Sequence, residues 1–115
     1  MNYVELLHDI LKVYEKHGWE VSRVLLSEDA LLSLKGSDIA KGLEIVDSKV
    51  DAVWLERQSR NRKRAIELRW LNANPYALFE LVDEDVSERE LEKIRSRIEL
   101  KLADHASGKG NVSDS

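Results

Sequence analysis

Apolar residues recur at steps of three and four over residues 2–17. Tyr3, Leu6, Leu7, Ile10, Val13 and Tyr14 fall on one side of that pattern, with Glu5, His8, Asp9, Lys12, Glu15 and Lys16 on the other. This is the period of an amphipathic helix. Asn2 stands as its cap with Glu5 as capping-box partner, and Met1 and Leu6 occupy the hydrophobic-staple positions. Gly18 offers the left-handed residue of a Schellman ending, which places Trp19 against Tyr14. A second long helix is predicted over 87–103. Ser87 caps it, Glu90 completes the box, and Val86 can staple to Leu91. Its apolar stripe, Leu91, Ile94, Ile98 and Leu102, is narrow on an otherwise charged helix, as suits a helix lying on a sheet.

Between the helices the period shortens to two. Residues 20–26 read as a strand. Ser27 followed by Glu28 and Asp29 predicts a short helix near 28–35, because acids suit a helix start; the competing reading makes Ser27 to Ala30 a turn between two strands. Residues 36–42 read as a loop and 43–46 as a short strand, with a turn or bulge at 47–49. The strongest strands are 50–58 and 64–71, where Trp, Val, Ile and Leu alternate with charge as in a sheet with one wet face. Two registers fit. One sets Arg57 opposite Arg64 and leaves Trp54 outside with Glu67 and Arg69. A one-residue slip instead groups Val50, Ala52 and Trp54 with Ile66, Leu68 and Trp70. After a turn at Asn72 to Pro75, residues 76–82 carry apolar side chains on both faces, which predicts a central or helix-covered strand. The sum is an α+β fold: an antiparallel sheet of four to five strands, with both long helices, 2–17 and 87–103, on one face. Residues 1–103 form a single domain, and 104–115 read as a disordered tail.

Length and composition narrow the class. A chain of 115 residues suits one domain, and 35% charged residues with 43% apolar is outside the regime of disorder. The absence of cysteine removes thiolate and disulfide chemistry and fits a cytoplasmic protein. Neither a signal-peptide pattern nor a run of roughly 20 apolar residues is present. A net charge of −4 disfavours indiscriminate binding to nucleic acid.

Candidate chemistry is sparse. His8, His17 and His105 are scattered without metal-ligand spacing, so no metal or other cofactor is expected. The 36–42 segment has two glycines and Lys41, but the lysine precedes the second glycine and Leu43 follows it, which is not the order of a phosphate loop. Glu80 interrupts an apolar strand. It reads as a partner of an arginine, with Arg69 on the neighbouring strand as the candidate, or as a buried catalytic acid. Enzymatic use of Glu80 or Glu67 is one alternative function. No stretch carries a motif set that identifies a family.

The most specific feature is the basic link over 57–64, with Arg57, Arg60, Arg62, Lys63 and Arg64 and no acid among them. Trp54 and Trp70 flank it. An acidic block, Asp83, Glu84, Asp85, Glu88, Glu90 and Glu92, follows further on. A polar turn that protects a sheet edge explains the link without function. As a functional surface, it predicts a small non-enzymatic domain binding another protein, acidic or a second copy, in an adaptor or immunity-type role. Trp54, Arg57, Arg60, Arg62, Lys63, Arg64, Glu67, Arg69 and Trp70 would make the contacts. The other alternative is RNA or single-stranded DNA held by the same hairpin.

Overall fold

The computed structural model describes residues 2–108, the Ala40 side chain excepted. Among them five strands form one mixed sheet, accompanied by three α-helices and a 3-10 turn at Asp38–Ala40. The elements run α1 (Tyr3–Lys16), β1 (Glu20–Leu26), α2 (Glu28–Leu34), β2 (Ile45–Asp47), β3 (Ala52–Gln58), β4 (Lys63–Trp70), β5 (Ala77–Asp83) and α3 (Glu88–Ala106).

The helix ends follow their sequence signals. Asn2 accepts from Glu5 N–H at 3.1 Å, Ser27 from Ala30 at 3.4 Å and Ser87 from Glu90 at 3.2 Å. α1 ends in the Schellman pattern: Trp19 N–H donates to Tyr14 O and Gly18 N–H to Glu15 O, with Gly18 at φ 84°. The Tyr14 and Trp19 rings meet edge to face, 5.9 Å apart. Met1, and with it the expected staple to Leu6, lies outside the described residues. α3 continues three residues past its expected end, through Ala106. Residues 104–106 are therefore helical; positions 109–115 of the expected tail fall outside the described residues.

The strand order is β2-β1-β3-β4-β5. β3, β4 and β5 form the expected antiparallel meander. The sheet is not wholly antiparallel, because β2 runs parallel to β1, with Val24 opposite Ile45. A parallel neighbour requires a crossover, and α2 with the loop after it supplies one. Asp47 belongs to β2 and not to a turn.

The helices do not share one face. Leu7 and Ile10 of α1 and Ala30 and Leu34 of α2 pack with Val24, Leu26, Val53 and Leu55 on one side of the sheet. Leu91, Ile98 and Leu102 of α3 pack with Leu25, Ala52, Trp54, Ile66 and Leu68 on the other. β3 thus lies between two helical layers, and Ala52, Val53, Trp54 and Leu55 are all buried. Its apparent alternation with charge is confined to its last residues, so the expected wet face is absent there. Val13, expected in the α1 core, is exposed, while Leu11 packs inward.

Candidate functional site

The hairpin register pairs Trp54 with Leu68, Ala52 with Trp70 and Gln58 with Arg64. This is the slipped register, and it seals Trp54 inside at 0% exposure. The indole Nε1–H donates to Glu99 of α3 at 2.8 Å, which satisfies the one polar atom of the ring. Trp54 is therefore removed from the expected contact surface by core packing. Trp70 is half-buried against His105 of α3, edge to face at 5.4 Å. His105 also stacks flat on Tyr76 at 3.6 Å; it belongs to the folded helix and does not open a tail.

The basic link is only partly available. The turn over residues 60–63 places Asn61 and Arg62 at φ 58° each, the left-handed pair of a primed hairpin turn. Lys63 is ion-paired with Asp83 on β5, and Glu84 N–H donates to Arg62 O at 2.8 Å. The basic and acidic blocks thus face each other. Arg64 is engaged by Glu56. Arg57 donates to His17 O at 2.9 Å and lies over the Trp19 ring, 5.1 Å from its centroid. Arg69 bonds Trp70 O, and Glu67 accepts from the Tyr14 hydroxyl. Burial first, then that carboxylate, holds the Tyr14 hydroxyl well above the ordinary tyrosine range. Arg60 and Arg62 remain as exposed cations of the link.

Glu80 has a partner other than Arg69. Arg69 lies on the α1 face of β4, whereas Glu80 lies on the α3 face of β5. Arg97 Nη2 of α3 donates to both Glu80 oxygens, each at 2.8 Å, so this carboxylate is engaged from the α3 side. Other acids expected in solvent are also engaged beneath α3. Arg23 bridges Glu44 at 2.7 Å and Glu92 at 2.9 Å, and Arg95 bridges Glu92 and Glu56 at 3.0 Å each. With Arg64 on Glu56, six residues of alternating sign run across β1, β3 and β4. Burial pushes the Glu56 carboxyl up, but Arg64 and Arg95 outweigh it and hold it below the ordinary range. Arg23, ahead of Arg95, does the same for Glu92. Such a network fixes α3 on the sheet.

β5 presents the feature that sequence reasoning missed. It was expected inside the sheet or beneath a helix, yet it forms an edge. α3 covers its inner side, where Val82 is buried, but α1 does not reach across the opposite face. Phe79 is 56% exposed and Leu81 49%. Trp19 meets Phe79 edge to face at 6.4 Å, so Arg57, Trp19 and Phe79 form one contiguous series on the face that also carries Leu81. The backbone of β5 is open as well. Trp70 N–H donates to Tyr76 O and Glu84 N–H to Arg62 O, and the register between these bonds is unbroken. By the alternation of an antiparallel ladder, Leu78, Glu80 and Val82 turn their backbone groups to β4. Those of Ala77, Phe79 and Leu81, and the N–H of Asp83, point outward, and among the described residues no strand pairs with them; Asp83 O accepts from Val86 N–H at 3.1 Å. Of the usual guards of an edge, a proline, a lysine and a bulge are missing from these outward positions, where only the terminal Asp83 carries charge. The sequence did hold a signal: Phe79 and Leu81 occupy the face opposite Glu80.

Among the described residues no group of three His, Asp or Glu side chains is placed to hold a metal ion, and no helix is long and apolar enough to cross a membrane. Comparison with family models, curated proteins and solved structures finds no match.

Proposed function

We propose that the chain is a non-enzymatic protein-binding domain that makes its contact by strand addition along β5. The observation that carries this is the coincidence, on the same residues, of unpaired backbone groups and exposed apolar side chains. Strand addition needs both: main-chain bonds for affinity and alternate side chains for fit. The hairpin tip adjoins one end of β5, so Arg60 and Arg62 flank the contact. Trp19 and Arg57 provide an aromatic and a guanidinium of the kinds enriched at interface hot spots. The pairing of Lys63 with Asp83 and the nearness of Glu84 and Asp85 dilute the positive field that nucleic-acid binding would require.

A photo-crosslinking residue, p-benzoylphenylalanine, placed at position 79 tests the reading in cells that express the chain. The same residue at position 100 serves as control, because Leu100 is 67% exposed on the outer side of α3. A protein adduct specific to position 79 is expected. Equal labelling from both positions, or none from position 79, would discard the proposal.

A further inference from the structure

We infer that the occupant of the β5 edge is β5 of a second copy, paired antiparallel about a two-fold axis so that one continuous sheet crosses both molecules. This rests on the strand-addition reading above and names its partner. An edge that meets its own copy antiparallel makes an isologous, closed contact, in which the outward backbone groups of Phe79, Leu81 and Asp83 in one copy face complements on the other.

Charge favours a copy of this chain over an arbitrary apolar strand. α3 runs antiparallel to β5, since Arg97 sits on Glu80 and His105 on Tyr76. Lys101 is exposed and one helical turn beyond Arg97, so it overhangs the first half of β5. The exposed acids Glu84 and Asp85 close the far end. Antiparallel pairing brings the far end of one β5 beside the first half of the other. Each acidic corner then meets Lys101 and Arg97 of the opposite molecule, twice by symmetry. A register centred on Leu81 sets the two Leu81 side chains together and Phe79 beside Asp83, and it brings Glu84 opposite Leu78, beneath Lys101. It also places each Glu80 opposite Val82 of the second copy, which avoids two carboxylates in direct opposition.

Sedimentation equilibrium on the purified full chain, with amide hydrogen exchange at matched concentrations, tests this. The expected mass rises with concentration to twice that of one chain, and the amides of Phe79, Leu81 and Asp83 gain protection in step. Phe79→Lys with Leu81→Lys, at half-exposed positions, is expected to stay monomeric while circular dichroism reports an unchanged fold. A second route does not touch the apolar row: Lys101→Glu weakens the dimer roughly threefold, the scale of an exposed ion pair, and adding Glu84→Lys restores it. A wild-type chain that stays monomeric overturns the inference, as does a double-lysine variant that dimerises undiminished. Protected edge amides in a monomer also overturn it, because the cover would then be the chain's own residues 109–115. If the position-79 adduct contains a different protein and the wild type is monomeric, the second copy is excluded while strand addition stands. If no adduct forms, both fail.

Discussion

Arg95 is the charged side chain most deeply committed to the fold, and Arg95→Met isolates its contribution. Arg95 is 6% exposed, bonds Glu56 and Glu92, and lies 6.0 Å from the centroid of the Trp54 ring. Methionine keeps the packing against the indole but removes the charge. Breaking a buried pair by deleting one partner costs about 3–5 kcal/mol, because the remaining charge is stranded. Two features reduce that figure here. Glu56 keeps Arg64, and Arg95 Nε is itself buried without a hydrogen-bond partner, a defect of about 1 kcal/mol that the substitution relieves. The expected loss at neutral pH is therefore about 2–3 kcal/mol, or roughly a 10 °C fall in Tm for a domain of this size. Urea unfolding followed by tryptophan fluorescence measures it. The pH dependence supplies the sharper test. The folded-state pKa of Glu56 lies below its ordinary value of 4.5. Its stabilising contribution is complete above that value and disappears as pH falls through the folded pKa. In the variant that depression is smaller, so the gap between wild type and variant should be widest near neutrality and narrow below pH about 4. A gap under about 1 kcal/mol at neutral pH, or one that is equal in acid, would refute the account of Arg95 as a bridge between carboxylates.

Three further substitutions probe other layers of the argument. Ser87→Ala removes the side-chain acceptor at the start of α3 and should cost about 1 kcal/mol in denaturant unfolding; no change would mean that the cap is frayed in solution. Arg62→Gly relieves a left-handed residue at φ 58° and should stabilise by about 0.5–1 kcal/mol after glycine's greater unfolded-state entropy is counted; a destabilised variant would show that the tip adopts another turn. Trp54→Phe opens space beneath α3 and deletes the donor to Glu99, for an expected loss of about 2–3 kcal/mol. If that loss were instead within a few tenths of a kcal/mol, Trp54 would not be the core residue described.

How much of this was legible depends on the distance over which each signal acts. Caps and the Schellman ending are settled within about one helical turn of chain, and Ser27, Ser87, Gly18 and Trp19 behave as their neighbours dictate. The meander was readable because short turns leave adjacent strands little choice but to pair. The hairpin register was not readable, since Val53 and Leu55 compete with Ala52 and Trp54 for the core. The fold resolves the competition by burying both pairs, one under each helical layer. The parallel β1 and β2 pair was hidden for a related reason, because no local residue marks which strand a crossover will join. Of the expected contact residues, Trp54 went to the core, and Lys63, Arg64 and Arg57 found partners contributed by β5, β3 and the end of α1.

The amino-acid sequence by itself determined the starts of the three helices, the central meander and the concentration of cations at one hairpin, all through interactions between near neighbours. The tertiary structure alone decided on which side of the sheet each helix lies, and hence which apolar rows remain uncovered. A strand with apolar residues on both faces specifies two possible contacts without saying which will be filled. That is fixed by how far α1 and α3 reach across the sheet, and α1 stops short of Phe79 and Leu81.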